Sequence, residues 1–264
     1  MALPAPLSLN QRKQSPMQRP VLILIVLFVL PLFSACSLFS PHPVRFEQDG
    51  AEEELMRLSR LNEGVTTFKG TGSVVTTDKG ETRRFRIAWA GAAPNLLRLE
   101  IIASATPVES LAYDGTRLRL RSNVGSHAPY AKKVEDPSLA RATGIPLTLS
   151  EIHALLSGKF LVGPFESARL LTPDQGPETL VLRPDRSRTK TITLNAHRLP
   201  TRATLSKAGK TIYDLRLTPK ADPGGTNRFR TIELTTAKGV SATIRIDRMF
   251  VNPSVDQTIF TLEQ

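Results

Sequence analysis

A single cysteine in 264 residues rules out an intrachain disulfide, so any fold of this chain is held by packing. Histidine is scarce as well. His42, His127, His153 and His197 are dispersed over a tether, a loop, a helix and a strand, each expected at the surface or a rim, and no pair has metal-ligand spacing. There is no Gly-x-Ser-x-Gly elbow, and no acidic pair stands out for acid–base work. Gly70 and Gly72, in Lys69-Gly70-Thr71-Gly72-Ser73, lack the Gly-Lys-Ser/Thr ending of a phosphate loop and read instead as a bulge in a strand. These absences point away from an enzyme and call for no metal and no cofactor.

A spanning helix needs about 20 apolar residues. The uncharged run at 21–33 has only 13. It follows Arg12, Lys13 and Arg19, has no acidic residue before it, and ends at the small residues Ser34 and Ala35. That is the layout of an export signal. Leu32-Phe33-Ser34-Ala35-Cys36 resembles the lipobox of bacterial lipoproteins, with Phe33 where a smaller aliphatic residue is usual. The resemblance implies cleavage before Cys36, a diacylglyceryl group on its thiol, and, with Ser37 rather than aspartate following, an address at the periplasmic face of the outer membrane. The signal opens at Met1 or, more compactly, at Met17. Residues 1–35 are thus read as signal peptide, 36–48 as lipidated N-terminus and tether, and 49–264 as the folded domain.

Three of the 35 basic residues and none of the 24 acidic ones precede Cys36, leaving a net charge of +8 on the remainder. An exported lipoprotein meets little nucleic acid, and none is expected as a partner. An anionic lipid surface offers the same attraction, about 1 kcal/mol per nearby basic residue; solvated strand faces are the simpler reading of the charge.

Asp49 and Glu52 are spaced as a capping box, and Leu55, Leu58 and Leu61 then recur at helical period until Gly64. Beyond Val65 the period falls to two, as in Phe85-Arg86-Ile87-Ala88-Trp89 and Arg117-Leu118-Arg119-Leu120-Arg121. Asp78-Lys79-Gly80, Asp114-Gly115, Ala208-Gly209 and Lys238-Gly239 are hairpin turn signals. Midway, residues 137–143 allow one helical turn. Thr148 and Glu151 then form a second capping box ahead of a narrow stripe of Leu149, Ile152, Leu155 and Leu156, which stops at Gly158. So short a helix must dock on something. About eleven strands with one helix before them and one inserted describe a mainly β (α+β) fold, a curved antiparallel half-barrel with a plug helix across its mouth.

Over residues 51–262 these pieces resemble the LolA/LolB family of lipoprotein carriers and outer-membrane receptors, the receptor branch most of all. The resemblance rests on Phe68-Lys69-Gly70-Thr71-Gly72, on Ile87-Ala88-Trp89 with Leu97-Arg98-Leu99, on Gly144-Ile145-Pro146-Leu147 with the plug stripe, and on Phe250-Val251-Asn252 with Phe260. It implies a monomeric receptor whose apolar interior takes the acyl chains of lipoproteins from a periplasmic carrier and delivers them to the outer membrane. Where the receptors carry an exposed, membrane-inserting leucine after the third strand, residues 103–108 offer only Val108, and no tryptophan stands on the plug.

The expected lining of the groove is Phe85, Ile87 and Trp89, continued by Leu97, Leu99 and Ile101, then Leu118 and Leu120. Ile152, Leu155 and Leu156 cover it. Alternation cannot say whether this face encloses a cavity or a packed core. A second class stays open: a structural or assembly lipoprotein of the same fold, binding another lipid or a protein partner through a basic face such as Arg117, Arg119 and Arg121.

Overall fold

The computed structural model describes residues 45–46, 50–221 and 226–262. Cys36, the stretch expected to be an export signal and most of the expected tether lie outside them. The elements are β1 (Arg45–Phe46), helix α1 (Ala51–Ser59), β2 (Thr67–Asp78), β3 (Glu81–Ala92), β4 (Leu96–Ala103), β5 (Thr106–Tyr113), β6 (Arg117–Ser122) and β7 (Tyr130–Lys133). Two short helices follow, α2 (Ala140–Thr143) and α3 (Leu149–Leu156). Then come β8 (Ser167–Leu171), β9 (Thr179–Asp185), β10 (Arg188–Leu194), β11 (Pro200–Lys207), β12 (Lys210–Ala221), β13 (Asn227–Thr236), β14 (Ser241–Val251) and a 3₁₀ turn, Gln257–Phe260.

All strands join one open, curved sheet in the order β1-β8-β9-β10-β11-β12-β13-β14-β2-β3-β4-β5-β6-β7. The first and last strands, β1 and β7, do not pair with each other, so the half-barrel does not close. Among the described residues there are fourteen strands rather than about eleven, and the sheet is mixed, because β1 pairs with β8 in parallel. The three extra strands left no clear alternation in the sequence: β1 has two residues, β5 opens on Thr106-Pro107, and all four residues of β7 are exposed. Four of the expected turns form, and two of them place non-glycine residues in the left-handed region ahead of their glycines: Lys79 at φ 50° before Gly80, and Ala208 at φ 49° before Gly209.

Topology explains the plug. β6 and β7 end one side of the sheet and β8 begins the other, so the connecting segment must cross the mouth, carrying α2 and α3 with it. Helix α3 starts in the capping box: Glu151 N donates to Thr148 Oγ1 at 3.2 Å, and Thr148 N donates to Glu151 Oε2 at 3.0 Å. Helix α1 differs from expectation. Its N-cap is Gly50 in the left-handed region, with no side-chain cap, and it ends at Ser59 rather than running on toward Gly64. Its Glu54 is fully buried, paired with Arg57 and lying 3.0 Å from Arg198 Nε.

No bulge forms in β2, whose pairing with β3 is regular from Thr67 to Asp78. The irregularity is in the partner strand β14, where Ile246 and Arg248 face consecutive β2 residues and Asp247 is the extra one. The glycines let β14 approach: a Cβ on Gly72 would lie 2.2 Å from Arg245 O, and one on Gly70 would lie 2.6 Å from Arg248 O and 2.5 Å from the Trp89 ring.

Candidate functional site

Period-two alternation puts Phe68, Gly70, Gly72 and Val74 of β2 on the same face as Phe85, Ile87, Trp89 and Gly91 of β3. Leu97, Leu99 and Ile101 continue this inner face on β4, and Leu118 and Leu120 on β6. Of the expected lining, Ile87, Trp89, Leu97 and Leu118 are buried in one cluster with Leu155 and Leu156, while Leu99, Ile101, Leu120 and Ile152 are partly buried against it. Phe85 lies on the same face but is only half-buried and outside that cluster. Val108 is not on a loop. Residues 103–108 form the β4–β5 hairpin, whose turn is Ser104-Ala105, and Val108 is half-buried within β5.

The second half of the sheet supplies as much of the inner face as the first. Leu180, Leu182, Ile192 and Leu194 are fully buried there, and Leu215, Leu217, Ile232 and Leu234 extend the cluster toward β14. Helix α3 touches both β4 and β13, bridging the two halves. Sequence reasoning left these positions out of the site, although Lys190-Thr191-Ile192-Thr193-Leu194 carries the same alternation as β3.

Two polar residues beneath the plug were also missed. Lys190 of β10 stands on the inner face, only 7% exposed. Its Nζ donates to Leu161 O at 3.2 Å and Val162 O at 3.1 Å, lies 3.8 Å from Glu151 Oε1 of α3, and sits 5.5 Å from the Phe160 ring centroid. Burial pulls the ammonium pKa down, and the Glu151 carboxylate works against that fall. One lysine thus ties the plug helix and the segment after it to the sheet. Burial also raises the Tyr213 hydroxyl above its ordinary range, with Glu151 adding to the effect.

His153, expected at a rim, is buried in α3. Its ring meets Phe68 edge-on at 4.9 Å and its Nε2 donates to Ala92 O at 3.2 Å. Burial pushes the imidazole pKa down to about 4, and Lys159 adds to the fall while the Ala92 bond opposes it. His153 is therefore neutral in the fold above that pH, whereas an unfolded chain takes up a proton near pH 6.5. The contribution of His153 to stability is fully present above pH 6.5 and is lost as pH drops toward 4, about 2 to 3 kcal/mol in all. Urea titrations at stepped pH should show this slope in the native protein and lose it in His153→Gln.

The inner face holds little free space. Among the described residues, the pocket under the plug, lined by Leu147, Leu155, Phe160, Lys190 and Leu215 among others, encloses about 10 Å³. That is room for about one water, against roughly 300 to 1,000 Å³ for an ordinary ligand pocket. The structure therefore shows a face packed beneath the plug helix, not an open trough. On this face a donor is left over: among the described residues Trp89 Nε1 is buried without an acceptor, a state that costs about 1 to 3 kcal/mol.

An open, strongly curved sheet that wraps an apolar face around an inserted plug helix defines a LolA-like fold. Among solved structures, a LolA superfamily protein from Nitrosomonas europaea matches with a TM-score of 0.55 at 15% identity, over 80% of this chain and 97% of that one. An outer membrane lipoprotein-sorting protein domain from Vibrio parahaemolyticus matches with a TM-score of 0.53 at 13% identity, over 80% and 95%. At these identities the likeness is one of fold. No protein-family model matches the sequence, and no curated protein does.

Proposed function

We propose that this chain is a lipid-anchored protein of the outer membrane's periplasmic face whose inner sheet face binds acyl chains when α3 lifts. In this role it receives lipoproteins from a periplasmic carrier and delivers them to the membrane. The observation that carries the reading is the continuous apolar inner face, spanning both halves of an open sheet and covered by one eight-residue helix. An acyl chain gains about 0.8 kcal/mol per methylene on leaving water. A chain entering under the plug replaces the apolar contacts that α3 gives up, so the exchange is near balance and the cargo can leave again for a bilayer. The ester or amide oxygen of such a chain is a fitting acceptor for Trp89 Nε1. The lipid anchor on Cys36 supplies proximity to the membrane, and no cofactor enters the cycle.

A fluorescent fatty acid should bind the unacylated chain of residues 37–264 and be displaced by an acylated peptide but not by the same peptide without its acyl group. Absence of saturable binding, even under mild denaturant that loosens the plug, would falsify the acyl-binding reading.

The packed interior favours a second reading, a structural or assembly lipoprotein that uses the fold as a rigid platform for a protein partner. On that reading the probe does not bind, and crosslinking in cells recovers a partner through the sheet surface.

A further inference from the structure

The face of the sheet opposite the plug is uneven in character. Its C-terminal end is covered by the 3₁₀ turn, where Phe260 is buried and Arg98 Nη1 donates to Ile259 O at 3.1 Å. Beside that turn the face is open. Thr71, Ala88 and Ala90 have small side chains there and leave a shallow space of about 500 Å³, with Phe250 and Ile259 at its margin. Phe250 is 53% exposed, and Lys69 Nζ lies 5.7 Å from its ring centroid.

Basic side chains continue this face along the strands, away from the 3₁₀ turn. Pairing places Arg86 and Arg245 on either side of Ser73, Arg84 beside Val75, and Arg248 beside Thr71. All four arginines are exposed, and Arg84, Arg86 and Arg248 make no ion pair among the described residues. The nearby acids do not cancel them: Glu100 is bound to Arg98 at 2.8 Å, Asp247 lies 3.8 Å from Arg245, and Glu233 stands a strand further on. The basic strand β6 is a weaker candidate, since Arg119 is paired with Asp114 at 2.6 Å and Arg121 donates to Asn123 at 3.1 Å.

We infer that this outer face of β14, β2 and β3 rests on an anionic phospholipid bilayer, with Phe250 entering the headgroup layer and Lys69, Arg84, Arg86, Arg245 and Arg248 over the phosphates. An exposed aromatic on a small-residue floor with a cluster of exposed cations beside it matches the chemistry of an interfacial surface. The inference rests on the anchored reading above for its proximity. Nine residues, 37–45, separate Cys36 from the end of β1 and reach at most about 30 Å, so an anchored domain meets the surface at high effective concentration. In this pose the inner face points away from the lipid, toward an arriving carrier.

The test uses the full chain with Phe250→Trp, reconstituted in vesicles with brominated acyl chains. Trp89, 3% exposed, is a constant background. Phosphatidylglycerol-containing vesicles should quench the reporter at position 250, and high salt should relieve the quenching. The triple change Arg84→Glu, Arg86→Glu and Arg245→Glu should weaken the apposition by about 100-fold or more. That variant must keep the native melting midpoint and Trp89 emission; if it does not, single reversals at each arginine take its place. Equal quenching on purely zwitterionic vesicles, quenching that survives the reversals, or no quenching on any vesicle overturns the inference, the last also if the face crosslinks to an acidic protein instead. The fatty-acid displacement assay reads the inner face, so either proposal can fail while the other stands.

Discussion

Gly72→Ala should destabilise the protein by about 3 kcal/mol or more and lower its melting midpoint by about 10 °C. The added methyl would meet Arg245 O at 2.2 Å, and that oxygen belongs to the backbone of β14 next to its bulge. Relief requires moving a strand in the middle of a fourteen-stranded sheet, because β14 joins the half that starts at β8 to the half that starts at β2. Gly64→Ala is the control. It has nothing within 4 Å of an added Cβ and should change stability by less than about 0.5 kcal/mol. Should the two variants melt together, close approach of β14 is not the reason for glycine at position 72.

Lys190→Met should free the plug without unfolding the sheet. The variant leaves Leu161 O and Val162 O without their donor and Glu151 without its counter-charge, a loss of about 3 kcal/mol. Because these contacts hold α3 and the segment after it, the loss is local. Amides of α3 should exchange about 100-fold faster while those of β9 and β10 hold their rates. The same variant should bind an apolar fluorescent probe more tightly than the native protein, since the inner face becomes accessible. Glu151→Gln keeps an oxygen for the Thr148 amide and should have a smaller effect of the same sign. Unchanged exchange in α3 would mean that apolar packing alone seats the plug, and the lysine would lose its place in the mechanism.

Much of the fold was legible in the chain because it depends on local rules. The Thr148–Glu151 capping box, the stripe of Leu149, Leu155 and Leu156, the alternation around Ile87 and Trp89, and the turn at Lys79-Gly80 each arise from contacts a few residues apart. The strands that escaped notice are those whose pairing partner supplies the reason for being extended. β7 has no buried side, and β1 is defined only by its parallel neighbour β8. The candidate site was half legible for the same reason. Positions on β3, β4 and β6 were found by alternation, but their enclosure by β9, β10, β12 and β13 depends on strands some hundred residues away.

By itself the sequence determined a packing-held, mainly β chain with one apolar sheet face, a basic surface and a short helix that must dock. Tertiary structure alone decided that this helix fills the face instead of leaving it open. It also decided that Lys190 and His153 are buried beneath and within the plug, and that the bulge belongs to β14 opposite Gly72. Alternation fixes which side of a strand is apolar, but only the curvature of the neighbouring strands and the seating of the plug fix how much space remains over that face.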